Sequence, residues 1–303
     1  MQVERSGSGG SPDEAATAAA RADDEQFVRD CYRLILQREV DPGGLTTWVD
    51  FLAAGNWRKR VVQALVAGEE FATLGSETLR ARLHRSRGDW IGGLPAAPQI
   101  LDIGGSSPTF PEGAMYQMGW QGEPELLTIV DRPPDEQYHG RPRYSQEAPY
   151  RTQWGGEVRY VHAAAEDLVT SGVLDDQRFD GVFMGQVIEH LEPAAIPGVL
   201  RWIRERLAPG GWFALDTPNR AVTALQSPST FIDPDHTWEF RANELAALLL
   251  DAGLRIESQA GLMPMPRSVE SGRWEPEETY SLPTVSRDAT TGYCLAFVTR
   301  AAG

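Results

Sequence analysis

Cysteine is scarce in this chain: two in 303 residues, Cys31 and Cys294, far apart and without the paired spacing of a metal site. That excludes a disulfide framework and a structural zinc, and it fits a reduced, cytoplasmic setting. Lysine is scarcer still. Lys59 is the only one, the arginines are spread along the chain, and the net charge is −15. Sequence-independent nucleic-acid binding needs clustered cations, so no nucleic-acid partner is expected. The one local basic cluster, Arg80 to Arg87, reads as a solvated helix face. No apolar run approaches the roughly 20 residues that cross a bilayer, so no membrane span is expected. No basic-then-apolar leader is visible, so no signal peptide is expected.

What is present is 41% apolar and 23% charged, enough for one large domain and a small one. Residues 1–24 are mostly Gly, Ser, Ala and charged groups and read as a disordered tail. Residues 25–88 read as a helical module. Phe27, Cys31, Leu34 and Ile35 share one face at helical spacing. Asp41-Pro42-Gly43-Gly44 stops that helix and starts another with Leu45, Trp48, Phe51 and Leu52 as its stripe. Asn56 is placed to cap a third, carrying Val61, Val62, Leu65 and Val66. From 89 to 303 strands alternate with helices, which implies an α/β domain with a parallel sheet. Strands are expected at 98–103, 126–131, 158–162, 179–184, 212–217, 254–259 and 292–299. Helices are expected at Ala194 to Leu207 and Asn243 to Ala252, and a Pro-rich polar insertion at 263–291.

Two of these strands end in a carboxylate. Gln99-Ile100-Leu101-Asp102-Ile103 runs into Gly104-Gly105, and Leu126 to Val130 ends in Asp131. Parallel strands with acidic ends form the mouth of a nucleoside pocket in a doubly wound sheet. Further along stand Tyr160 to Leu168, then Phe179-Asp180-Gly181-Val182-Phe183-Met184-Gly185, Glu189-His190-Leu191, and Leu207-Ala208-Pro209-Gly210-Gly211. In this order, over about 200 residues, the segments resemble S-adenosylmethionine-dependent methyltransferases of the Rossmann-like class. The resemblance implies a seven-stranded sheet and S-adenosylmethionine as cofactor. It implies that Asp102, Gly104 and Gly105 shape the methionine end of the pocket and that Asp131 takes both ribose hydroxyls. Glu166, Asp167 or the backbone of Ala165 would meet adenine, and Gly185 would let the chain pass close to the cofactor. The family pattern is only partly kept. Ser106 and Pro108 stand where glycines are common, and Ala164 where an aspartate is frequent. Glu166 and Asp167 also read as a plain turn or helix start.

The block from Phe27 through Arg38-Glu39-Val40-Asp41-Pro42-Gly43-Gly44-Leu45 and Trp48 to Glu69-Glu70-Phe71 covers about 50 residues. It is similar to a small helical module of unknown function that resembles phycobilisome linker repeats. That module recurs near enzymes of glycan and surface-polymer synthesis. Packing or homo-oligomeric association is its expected role, with direct substrate contact as the alternative.

A sulfonium methyl is already activated, so the protein must align a nucleophile and, for an alcohol, accept its proton. Histidine suits that task. Of five histidines, His84 reads as a surface residue, His139 lies in a polar loop and His162 ends a strand. His190 follows the fourth strand on the reacting side. His236 lies in Phe231-Ile232-Asp233-Pro234-Asp235-His236-Thr237-Trp238-Glu239-Phe240, after Asp216-Thr217-Pro218-Asn219-Arg220. That order resembles methyltransferases acting on sugars and related small molecules. His236 is therefore the expected base and His190 the second choice, although either could instead order its loop. Asp216, Asp233 and Asp235 raise the question of a hard cation, but Asp-Pro-Asp is also ordinary turn chemistry, and no metal ligand is assigned. Arg267, Trp274 and Tyr280 of the insertion are expected to face the acceptor. The expected function is an O-methyltransferase acting on a hydroxyl of a saccharide or glycosylated natural product. Methylation of nitrogen or carbon on a small natural product, and a non-catalytic binding protein that kept the fold, are the alternatives.

Overall fold

Proline at the head of an Ala-rich stretch starts the first helix. The computed structural model describes residues 12–36, 39–68, 78–107, 110–133, 136–137 and 149–302. Pro108, His139 and the Glu69-Glu70-Phe71 motif lie outside them. The chain divides into two compact units between Thr78 and Leu79, ten residues before the expected boundary.

The first unit holds α1 (Pro12–Ile35), α2 (Pro42–Ala53) and α3 (Arg58–Ala67). α1 begins inside the segment expected to be a tail. Five alanines between 15 and 20 favour helix, and Pro12 suits a first helical turn. Arg58 of α3 pairs with Asp24 at 2.8 Å, which ties that segment down. Val28, Cys31, Tyr32, Val49, Leu52, Val61 and Leu65 form the core of this unit. Asp41 caps α2 by accepting from the Gly44 amide at 2.8 Å. Asn56 does not cap α3. It donates to the Phe51 carbonyl at 2.8 Å, and Trp57 takes the cap position. None of the helices described is long and apolar enough to cross a membrane.

The second unit opens with α4 (Leu79–Ile91) and is built on one mixed sheet. Its strands are β1 (Gln99–Ile103), β2 (Leu126–Asp131), β3 (Tyr150–Arg151), β4 (Glu157–His162), β5 (Phe179–Gly185), β6 (Leu207–Pro218), β7 (Leu254–Pro264), β8 (Val285–Ser286) and β9 (Gly292–Ala301). The order is β3-β4-β2-β1-β5-β6-β9-β7-β8. Among the described residues the sheet has nine strands, not the expected seven. The two extra ones, β3 and β8, are two-residue edge strands, too short to carry any alternation that could be read beforehand.

Alternation along the central strands splits the core in two, because successive side chains point to opposite faces. Leu101, Ile103, Val182, Met184, Phe213 and Leu215 pack with Val199, Leu200, Ile203, Leu245 and Leu249 of the helices Ile196–Arg206 and Ala242–Asp251. Ile100, Leu127, Ile129, Phe183, Trp212 and Ala214 face the other side, with Ile91 and Trp120. β1 lies between β2 and β5, both parallel to it. The winding direction reverses there, and such a switch point opens a crevice at the C-terminal strand ends.

Two of the four arginines of α4, Arg82 and Arg87, are not part of a solvated face, whereas Arg80 and Arg85 are exposed. Arg82 is buried and donates to the Leu282 carbonyl at 2.5 Å. Arg87 grips the fully buried Asp216 of β6 with Nε at 2.6 Å from Oδ2 and Nη2 at 3.2 Å from Oδ1. Long aliphatic stems let an arginine cross an apolar contact to reach a carboxylate. Arg87→Met should destabilise the protein by about 3–5 kcal/mol, because it leaves a buried charge unpaired. Arg87→Met combined with Asp216→Leu should recover most of that loss. Urea unfolding of the two variants checks this, and equal instability in both would show that the pair's charge is not what matters.

Candidate active site

The turn after β1 requires residues without side chains. Gly104 has φ +74°, and a Cβ there would lie 2.3 Å from Cγ2 of Val187. A Cβ on Gly105 would lie 2.3 Å from Cγ of Asp102. Asp102 is buried, and its Oδ2 has no hydrogen-bond partner. Burial pushes its carboxyl up to about 8, against the Met115 amide that holds it down; the charge of Asp131 adds to the rise. Across the turn, Asp131 Oδ2 accepts from the Ser106 amide at 3.1 Å, and Oδ1 from the Arg132 amide at 2.8 Å. The bond comes from the backbone, so it does not depend on Ser106 standing where the family has a glycine.

Beyond β4, Ala165 is buried, Glu166 half-buried and Asp167 exposed at the head of the short helix Leu168–Ser171. Gly185 ends β5. A Cβ there would meet Phe183 at 2.6 Å and Asp216 Oδ1 at 2.9 Å. The expected cofactor residues Asp102, Gly104, Gly105, Asp131, Ala165, Glu166, Asp167 and Gly185 thus all stand at the C-terminal ends of four adjacent parallel strands, β4-β2-β1-β5.

A second group sits at the ends of β5 and β6. The 3-10 turn Ile188–His190 carries Glu189, fully buried, whose Oε2 accepts from Thr217 Oγ1 at 2.9 Å. Burial pushes Glu189 up to about 7. The loop with His236 is stitched onto this turn. Thr237 donates its amide to the Glu189 carbonyl at 2.8 Å and its hydroxyl to the Leu191 carbonyl at 2.5 Å. The loop is closed at its base by Asn219, which caps the helix Arg220–Gln226 and bonds the Gly292 carbonyl at 2.8 Å. The Arg220 amide bonds the Phe240 carbonyl at 2.8 Å.

This brings the two candidate histidines together, with ring centroids 4.9 Å apart. His236 Nδ1 meets Glu239 Oε1 at 2.8 Å, and His190 Nδ1 meets the Asp235 carbonyl at 3.1 Å. Glu239 is buried. It also accepts from the Ile232 amide at 2.9 Å and from the Thr223 hydroxyl. Burial opposes its charge, but bonds from His236, Thr223 and Ile232 outweigh that and hold it below the usual carboxylate range. Burial likewise disfavours the His236 imidazolium, yet the Glu239 bond and the charges of Glu189 and Glu239 raise its basicity overall. Burial lowers His190.

The carboxylates singled out in the sequence part company. Asp216 is committed to Arg87 and to Gln186 Nε2, at 2.8 Å, and is not placed as a free base. Asp233 accepts from the Asp235 amide at 3.0 Å in a local turn. Glu189, Glu239, Thr217 and Arg87 are the site residues that sequence reasoning missed. Two of them had a signal: Glu189 stands in Glu189-His190-Leu191, and Glu239 three positions after His236.

The insertion is folded around Glu278, which accepts from the Arg267 and Ser268 amides at 2.9 and 2.8 Å and from the Ser268 hydroxyl at 2.6 Å. Its three candidate acceptor residues engage different surroundings. Arg267 lies 3.6 Å from Glu278 with its side chain 64% exposed, Trp274 packs 5.9 Å from Tyr293, and Tyr280 is exposed. A groove of about 530 Å³ opens instead in the His236 loop, lined by Arg220, Ser229, Thr230, Phe231, Asp233 and Pro234. Trp238 is 45% exposed, 6.4 Å from the Phe231 ring.

Comparison with known proteins agrees with this geometry. Residues 71–259 match the methyltransferase domain family, more than half of the chain, and the chain belongs to that family. Residues 10–74 match a domain of unknown function, DUF4214. A probable S-adenosylmethionine-dependent methyltransferase of Mycobacterium tuberculosis (strain ATCC 25618 / H37Rv) is 41% identical over 97 residues, 31% of this chain and 33% of that protein. One from Mycolicibacterium smegmatis is 40% identical over 91 residues, 29% of this chain and 34% of that one. The chain thus spans about a third of the length of these relatives. Among solved structures, an S-adenosylmethionine-dependent methyltransferase from Mesorhizobium loti is 16% identical with a TM-score of 0.45, over 74% of this chain and 100% of that one. S-adenosylmethionine is the cofactor the family brings. The residues present fit it in polarity: a buried Asp102 oxygen without a hydrogen-bond partner lies beside the glycine turn, and the Asp131 carboxylate stands at the end of β2.

Asp102 makes stability fall as pH rises. Its folded pKa of about 8 exceeds the unfolded value near 3.8, so the folded state binds more protons between the two. Asp102→Asn should flatten the decline between pH 4 and pH 8 relative to wild type (a window set by that shift). Urea midpoints at pH 5 and pH 8 measure this, and parallel curves would mean that Asp102 is charged in the fold.

Proposed function

We propose that this protein is an S-adenosylmethionine-dependent O-methyltransferase, with a hydroxyl of a saccharide or glycosylated natural product as acceptor. The observation that carries the reading is the buried His236–Glu239 pair beside His190 at the C-terminal edge of the sheet. The cofactor supplies an activated sulfonium methyl. The chain's own work is to bind, align and accept a proton. Asp131 holds the ribose hydroxyls, and its two amide bonds fix the carboxylate for that contact. Ala165, Glu166 and Asp167 meet the adenine edge. The Gly104-Gly105 turn and Gly185 let the backbone approach, and Asp102 supports the turn from beneath.

Glu239 holds the His236 imidazole by Nδ1, so its lone pair is presented on Nε2. This is the arrangement of a general base oriented by a carboxylate. His236 accepts the acceptor's proton, and His190 is the second choice. The groove beside them supports a sugar-like acceptor: an exposed indole and a phenyl ring offer stacking faces, and Arg220, Asp233 and Thr230 offer polar groups. Arg267, Trp274 and Tyr280 of the folded insertion are further proposed acceptor contacts, outside the residues that line that groove.

Asp131→Ala should weaken cofactor binding by about 1.5–3 kcal/mol for each charge-assisted bond lost. Calorimetry with S-adenosylmethionine measures it, and unchanged affinity would remove Asp131 from the pocket. His236→Ala should lower turnover by about 10²–10⁴-fold while cofactor affinity holds. Turnover with labelled cofactor and a panel of glycosides tests this, with mass spectrometry locating the new methyl. A methyl on nitrogen or carbon would overturn the acceptor class. A crippled His190→Ala beside a normal His236→Ala would reverse the roles.

A further inference from the structure

We propose that Glu189, His190 and His236 form a binding site for a divalent transition-metal ion of the zinc or cobalt kind. One ligating atom from each lies within 4.8 Å of the others. A tetrahedral ion with bonds of about 2.1 Å holds its ligand atoms about 3.4 Å apart, so closure needs side-chain shifts on the order of an ångström.

The first argument is the carboxylate. Glu189 is fully buried, and Thr217 satisfies Oε2, but Oε1 has no hydrogen-bond partner. A buried acceptor left bare is costly, and nearly all such atoms find a donor, a water or an ion. The second argument is the orientation of the imidazoles. His236 is held at Nδ1 by Glu239, itself fixed by Ile232 and Thr223. His190 faces the Asp235 carbonyl with Nδ1. A carbonyl only accepts, so this contact sets the tautomer with the proton on Nδ1 and the lone pair on Nε2. A carboxylate behind one histidine and a backbone carbonyl behind the other is how metal-ligating imidazoles are usually oriented.

The donor set also selects the ion. Two imidazoles and one carboxylate suit zinc, cobalt or nickel, whereas magnesium and calcium prefer a shell of oxygens. Asp216, the one carboxylate of β6, is taken by Arg87.

The activity consequence rests on the general-base reading given above. If His236 Nε2 accepts the proton, an ion on that atom removes the base, and a filled site is an inhibited enzyme.

The test is direct binding of Zn²⁺ to the full chain by equilibrium dialysis, with Co²⁺ as a spectroscopic probe. One equivalent should bind. Glu189→Gln and His190→Ala should each weaken it about tenfold or more, and His84→Ala should not. Co²⁺ in the wild-type chain should give the visible bands of a tetrahedral site, an observation that does not depend on any variant folding. No stoichiometric binding, no tetrahedral spectrum, or equal affinity in folded Glu189→Gln would overturn the site. Turnover with and without one equivalent of Zn²⁺ then separates the two readings. Inhibition supports both. Unchanged or increased turnover, with binding that depends on Glu189, keeps the metal site and overturns His236 as the base.

Discussion

The C-terminal edge of the sheet depends on the neutralisation of one buried charge. Asp216 lies within the buried run of β6, between β5, whose next residues carry the site, and the antiparallel β9. Arg87 meets it from α4 with two bonds, and Gln186 adds a third from the β5 loop. Gln186, which bonds it, has φ +57°, and a side chain on Gly185 would meet the Phe183 ring and Asp216. The path of the chain from Gly185 to His190 follows from these contacts. So does the position of Val187, which packs where Gly104 would carry a Cβ. A single ion pair thereby links the glycine turn after β1 with the histidine-bearing loop.

Four buried carboxylates lie around this edge, and their partners give them different fates. Asp216 has a bidentate guanidinium. Glu239 has two strong donors and an amide, which keep it charged despite burial. Glu189 has one hydroxyl on one oxygen and moves up to about 7. Asp102 has only a backbone amide and moves up to about 8. Burial acts in the same direction on Asp102, Glu189 and Glu239, and the number and charge of the donors decide the outcome. The same logic places basicity on His236, beside a buried anion that its hydrogen bonds keep charged, and withholds it from His190, which leans on a neutral carbonyl.

Helix and strand positions were legible because they depend on local pattern. β2 spans Leu126–Asp131 as the apolar run indicates, and β5 and the helix Ile196–Arg206 differ from expectation by a residue or two. The glycine turn, the acidic strand ends and the order of the strands were legible for the same reason. Two things were misread. Residues 12–24 lack large apolar groups, yet they form helix through alanine propensity and the Arg58 pairs. Arg80 to Arg87 has the composition of a solvated face, yet Arg82 and Arg87 point into the protein.

The sequence by itself determined the sheet's alternation, the cradle at Gly104-Gly105 and the chemistry available in the two loops, because each rests on neighbours along the chain. Only the tertiary structure decided which charges meet. Arg87 and Asp216 stand 129 positions apart, His190 and His236 forty-six, and Glu189 and Thr217 twenty-eight. No local spacing encodes such pairings. They arise when parallel strands are brought side by side and their C-terminal loops converge, and burial then makes each pairing obligatory.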